Sequence, residues 1–217
     1  MTIEQLRKEL KQIESGTQKF LRDEMPRITG RLAVNHYQAN FRKGGFVDET
    51  LDPWPVTRRQ LSGAGRAGSK YGPLLSRRNH LMKSTRYETS DFRARVFNDV
   101  TYAPIHNWGG KIPVTDKMRG YMWYQYMKAS GKLGNSKNNA LGISTKKKRN
   151  YSKATTAEAE KWRRLALSIR NKNTIHIPQR QFLGPSSALT RQIIDKGEKE
   201  LYKKISLLSK EIFSDMI

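Results

Sequence analysis

The chain has 217 residues, enough for one ordinary domain or for one domain with a sizeable insertion. Its 42 Lys and Arg against 19 Asp and Glu give a formal charge of +23, a self-repulsion that calls for a polyanionic or acidic partner, nucleic acid being the more usual cause. There is no cysteine, which excludes disulfides and thiolate metal sites, and no apolar run approaches the roughly 18 residues that span a bilayer, so no membrane partner is expected.

The N-terminus opens on charged, helix-forming residues without an apolar signal core, so the expectation is a soluble protein made in a reducing, intracellular setting. Thr2 and Gln5 have the spacing of a capping box, and Ile3, Leu6, Leu10 and Ile13 recur at helical spacing behind them. Gly16 and Thr17 weaken that helix before Phe20-Leu21. Pro26 suits the first turn of a second helix, striped by Met25, Ile28, Leu32 and Ala39 and stopped at Gly44-Gly45. Both stripes read as core-packing faces; the sharper alternative is a partner-helix face in an oligomer.

From Gly44 to Gly72 the chain is rich in Gly, Pro, Ser and Arg and shows no period. Trp54, between Pro53 and Pro55, reads as an anchor plugged into the fold. Gly63-Ala-Gly65-Arg-Ala-Gly68 matches the dinucleotide-binding glycine pattern in its letters, yet no apolar strand precedes it and no apolar helix follows, so no cofactor is expected. The segment reads instead as a loop carrying Arg58, Arg59, Arg66 and Lys70, able to order on a phosphate backbone or on a neighbouring subunit.

Leu74 to Met82 predicts a short helix. Residues 84 to 90 and 92 to 97 then alternate as two strands about a turn at Ser90-Asp91, with Phe92, Ala94 and Val96 on one face. Thr101 to Ile112 and Ile177 to Ser186 are short apolar patches closed by Gly or Pro, the usual form of the buried joints of a small sheet. In the first, Tyr102, Ile105 and Trp108 fit one helical turn running into Gly109-Gly110. In the second, Phe182 and Leu183 sit too briefly between Pro178 and Gly184-Pro185 for anything but an edge strand or a docked loop. Trp54, Tyr102, His106, Trp108, Phe182 and Leu183 are the candidate structural or interface anchors.

Residues 113 to 173 look like an insertion between the two patches, leaving 1–112 and 174–217 as the core domain. Asp116 to Ser130 predicts a helix holding Met118, Tyr121, Met122, Trp123, Tyr124, Tyr126 and Met127; Thr155 to Arg170 predicts a second. The polar, glycine-bearing stretch between them holds Lys146-Lys147-Lys148-Arg149, which makes the insertion a helical hairpin with a basic tip. That tip, with the loop at 57–70, is the candidate contact for DNA or an acidic partner. Aromatics beside a basic run suggest stacking on single-stranded nucleic acid, but their helical spacing places them on the hairpin's inner face. Thr174 to Ile177 is a further strand. Ser186 or Ser187 can cap a closing helix lined by Leu189, Ile193, Ile194, Leu201, Ile205, Leu208 and Ile212. At about 40 Å for 1.5 Å per residue, that helix exceeds what a small sheet can cover, so part of it is expected on another subunit. The fold class is α+β: a small antiparallel sheet packed by long N- and C-terminal helices, with a helical-hairpin insertion.

Catalytic chemistry finds little support. His36, His80, His106 and His176 have no metal-ligand spacing, and no nucleophile elbow, P-loop or zinc-protease motif occurs. His106, beside Trp108, reads as a structural hydrogen-bonder. No enzyme, metal or cofactor is expected.

Tyr102, Ala103, His106, Gly109 and Gly110 fit a Tyr-Ala-x-x-His-x-x-Gly-Gly pattern, and Ile177, Pro178, Arg180, Phe182, Leu183 and Gly184 an Ile-Pro-x-Arg-x-Phe-Leu-Gly pattern. In order and spacing these resemble the signatures of tailed-phage virion morphogenesis proteins, a family that groups the Mu-like head virion protein G with tail-completion proteins. Phe41-Arg-Lys-Gly-Gly45 before Trp54-Pro55 is similar to that family's turn after its second helix. Gly72 to Ser84 resembles its Leu-x-x-x-Gly-x-Leu-x-x-Ser element, with Asn79 where that pattern has Gly. Ile112 to Met118 matches an insertion that some Mu-like members carry. The resemblance implies a structural virion protein of the head–tail connector that completes the neck or tail as a ring of identical subunits. Its partners would be neighbouring neck or tail proteins and, through phosphate contacts, packaged double-stranded DNA; it would sit in the host cytoplasm during assembly and in the virion afterwards. The alternatives are a tail terminator, or a non-virion basic nucleic-acid-binding protein, for which no helix-turn-helix, finger or RNA-recognition signature is present.

Overall fold

The computed structural model describes residues 2–61, 70–132, 153–170 and 173–214. The chain begins with α1 (Ile3–Lys19), closed by the reciprocal capping box of Thr2 and Gln5. Gly16 does not end this helix. A Cβ there would lie 2.6 Å from Leu208 of the closing helix, so the glycine serves a close helix approach. The helix runs on through a π-helical turn, Phe20–Glu24, into α2 (Met25–Lys43), where the sequence suggested two separate helices. Gly44 then ends α2 with φ 72°, a left-handed cap that carries no steric penalty without a side chain.

The stretch read as aperiodic folds into a hairpin of β1 (Gly45–Val47) and β2 (Leu51–Pro53). Strands of three residues are too short to display alternation, which is why the pattern was silent. After α3 (Arg58–Leu61), only His80–Lys83 (α4) of the expected 74–82 helix is helical. Asn79 precedes it in the left-handed region (φ 49°, ψ 37°), which asparagine tolerates better than most residues. The hairpin of β3 (Thr85–Ser90) and β4 (Arg93–Asn98) forms as expected, except that Phe92 lies in the turn at φ 58° and points to solvent. The face carrying Tyr87 and Val96 packs on α2, and the ring of Tyr87 occupies the space that a side chain at Gly30 would need.

Next come α5 (Ala103–Trp108), β5 (Gly110–Pro113), α6 (Asp116–Ala129), α7 (Lys153–Arg170), β6 (Thr174–Ile177) and α8 (Ser187–Ser214). β5 and β6 pair antiparallel. The architecture is the expected α+β type, with the strands in three separate two-stranded antiparallel ladders. α8 runs antiparallel to the α1–α2 helix. Gly197 receives Met25, Leu208 meets Gly16, and Lys204 binds Glu24 at 3.1 Å. These contacts run from Gly197 to Leu208, while Ile194, Tyr202 and Leu207 of the same helix stay exposed. Two apolar clusters form the core. One gathers Phe41, Trp54, Leu81, Met82, Val100, Ala103 and Phe182; the other gathers Ala33, Tyr37, Phe46 and Leu189. The chain divides into two compact units, residues 1–109 with 178–217, and residues 110–177. Among the described residues no helix is long and apolar enough to cross a membrane.

Candidate interaction site at the joint of the two fingerprints

The segment 178–186 runs without a ladder partner through the first unit, so its backbone polar groups need side chains from elsewhere. Asn107, buried on α5, supplies most of them. Its Oδ1 accepts from the amides of Phe182 (2.8 Å) and Leu183 (2.9 Å), and its Nδ2 donates to the Leu183 carbonyl at 3.1 Å. Arg180 donates its amide to the His106 carbonyl at 2.8 Å. The Trp54 indole donates to the Gln181 carbonyl at 2.8 Å, and the Tyr37 hydroxyl to that of Gly184 at 2.7 Å. Burial pushes the Tyr37 hydroxyl's pKa up, partly offset by that bond.

These bonds seat Phe182, which is fully buried, against Phe41 at 5.1 Å between ring centroids, with Trp54 edge-on to Phe41 at 5.6 Å. The buried Arg180 guanidinium points its Nε and Nη2 at the Pro55 carbonyl, at 3.1 and 2.9 Å. Burial lowers its pKa, and its charge is the second cause, after burial, that pushes His106 below the ordinary histidine value. His106 stands edge-on to Tyr102 at 5.9 Å, its buried Nδ1 without a hydrogen-bond partner. Gly109 (φ 70°, ψ −177°) lets the two stretches meet: a Cβ there would lie 2.8 Å from the Gln179 nitrogen. Ser186 closes the segment by donating to the Val47 carbonyl and accepting from the Leu189 amide at the start of α8.

The proposed anchors thus separate. Trp54 and Phe182 are buried in the joint, Leu183 and His106 are half-buried, while Tyr102 (45% exposed) and Trp108 (66% exposed) face solvent. Trp108 borders an apolar cleft of about 330 Å³ lined by Ala103, Pro104, Phe182, Leu183 and Gly184. Of the proposed cationic contacts, Arg59 turns onto its own loop, donating to the carbonyls of Tyr71, Gly72 and Leu75 at 3.3, 2.8 and 3.2 Å. Lys70 is exposed. Arg66 and Lys146, Lys147, Lys148 and Arg149 lie outside the described residues, as does the side chain of Arg58. Asn107, the centre of the joint, was passed over in the sequence. Its only signal is an amide side chain amid apolar residues just ahead of Gly109-Gly110. Among the described residues no three His, Asp or Glu side chains converge as a metal would require. What the joint offers is a hydrogen-bonded frame with an apolar mouth.

Compared with protein-family models, with curated proteins and with solved structures, the chain finds no match in any of the three.

Proposed function

We propose that this chain is a structural component of a tailed-phage head–tail connector, completing the neck or tail as a ring of identical subunits. The observation that carries the reading is that the residues of the two resembling patterns share one joint. The His106 carbonyl of the first takes the Arg180 amide of the second, Gly109 comes against Gln179, and Asn107, between His106 and Gly109, holds the amides of Phe182 and Leu183. Residues fixed by such an interlock keep their order and spacing for a structural reason, which is what a building block without catalytic chemistry needs. The exposed Trp108 beside its apolar cleft supplies a surface for a second copy or a neighbouring neck protein, since aromatic anchors dominate such contacts. A tail terminator would use the same parts against a different neighbour.

The test is the mass of the purified full chain by light scattering, together with mass spectrometry of purified particles. A discrete ring, or incorporation into virions, is expected. A monomer at every concentration that is missing from particles would overturn the reading, and tight nucleic-acid binding by that monomer with a steep salt dependence would select the free nucleic-acid-binding alternative.

A further inference from the structure

Charge is unevenly divided between the two units. Residues 110–177 hold 16 of the Lys and Arg against 3 Asp and Glu, so +13 of the chain's +23 lies in less than a third of its length. The same unit contains α6, which the spacing of its aromatics assigns to the inner side of a hairpin. None of its residues is buried, and Tyr121, Trp123 and Tyr124 are 53%, 39% and 50% exposed. Tyr121 reaches Trp162 of α7 edge-on at 6.0 Å. Trp123 and Tyr124, with Gly120 and Met127, fall at i, i+3, i+4 and i+7 and share another face of the helix.

Gly120 is the telling residue on that face. Glycine in a helix interior is the poorest choice after proline, so it needs a reason. In the other helices the reason is visible: Gly16 meets Leu208, Gly30 meets Tyr87, and Gly197 meets Met25. Among the described residues, a Cβ at Gly120 would meet nothing within 4 Å. Helical side chains lean towards the N-terminus, so Trp123 and Tyr124 border the open space over Gly120, a notch with aromatic walls. Lys117 stands one turn before Gly120 and Lys128 one turn after Tyr124, both exposed. A second copy of the chain would bring the same excess of positive charge to the same place, whereas a polyanion would offset it. Aromatic walls select, among polyanions, one that presents flat π-faces.

We propose that the outward face of α6 is a binding site for single-stranded nucleic acid. An unpaired base stacks on Trp123 and Tyr124 in the notch left open by Gly120, and the adjoining phosphates meet Lys117 and Lys128. The site stands whether or not the chain builds a connector, since it rests on α6 and its charge alone.

The test is anisotropy titration of the full chain with fluorescein-labelled oligothymidylate, with a duplex of equal length, and with polyglutamate and anionic vesicles as competitors. Trp123→Ala is expected to weaken oligothymidylate binding about tenfold, the scale of one lost base stack, with the duplex little affected. Gly120→Leu is expected to weaken it comparably while raising the thermal midpoint, because leucine is the better helix former. That pairing of a stabler protein with a weaker complex is what a purely structural glycine cannot give. Unchanged affinity in both variants would overturn the proposal. So would equal loss on duplex and single strand, or displacement of the oligonucleotide by polyglutamate or vesicles at matched charge. Should Trp123→Ala misfold, Tyr124→Ala and Gly120→Leu carry the same reading.

Discussion

The loop at 178–186 and the helix α6 invert the usual relation between composition and burial. The loop is short, rich in Pro, Gln and Gly, and carries an arginine, yet Arg180, Phe182 and Ser186 in it are buried. α6 has six aromatic or methionine side chains between Tyr121 and Met127, seven counted with Met118, and none of its residues is buried. The difference lies in what faces each segment. The loop lies among elements that supply the donors and acceptors its unpaired backbone lacks, so its apolar side chains can follow the backbone inward. Among the described side chains of α7 the buried ones are Ala159, Ala166 and Ile169, only one of them large, and the aromatics of α6 stay at the surface. Aromatic content shows where apolar area is available; the geometry of the opposing surface decides whether it is covered.

The sharpest way to break that comparison is a pair of truncations. Phe182→Ala removes a fully buried ring from contact with Phe41 and is expected to destabilise the chain by about 3–5 kcal/mol, read as a lowered urea midpoint. Tyr124→Ala on α6 is expected to change stability by no more than about 0.5 kcal/mol, as surface substitutions do. Similar losses from the two would mean that α6 is covered in solution and that the contrast is false.

The next effect isolates the polar half of the joint. Asn107→Ala leaves the buried amide of Phe182 and the half-buried amide and carbonyl of Leu183 without their partner. The expected loss is about 2–3 kcal/mol, set by stranding buried polar groups rather than by the bonds themselves. A loss below about 1 kcal/mol would show that water replaces the amide, and the joint would then be an apolar contact with polar trim.

How much of this was legible beforehand follows from which forces are local. The Thr2 capping box, the stop at Gly44, the alternation of β3 and β4 and the extent of α8 are written within a few residues of each other, and all appear where expected. The β1–β2 hairpin was hidden because three residues carry no period. Asn107 was hidden because its partners lie 75 and 76 residues away. The bonds Arg59 makes to its own loop were hidden for the same reason: the carbonyls that accept them, 12 to 16 residues on, are backbone atoms no side-chain pattern announces. At the joint the sequence marked the right stretches and several of the right residues, but not which face each takes, so Trp108 was grouped with Phe182 although one is exposed and the other sealed.

The smallest effect tests the electrostatics of the joint. Burial first, then the charge of Arg180, favour neutral His106, so its native-state pKa lies below the ordinary 6.5. Protonation would place a buried N–H at Nδ1, where no acceptor stands. Between the native and the unfolded pKa the unfolded chain binds the proton more readily. Stability from this group is therefore complete above about pH 6.5 and declines as pH falls below it. His36 acts with the same sign: burial and, less strongly, Lys43 lower its pKa against the opposing bond to the Val47 carbonyl. His106→Phe keeps a ring against Tyr102 and removes one of the two titrations. The urea midpoint of this variant is expected to fall less than that of the parent between about pH 7.5 and pH 5.5, the range in which histidines change charge. An identical decline in both proteins would mean that His106 titrates alike folded and unfolded, which would require its Nδ1 to be hydrated and Arg180 to be electrically screened from it.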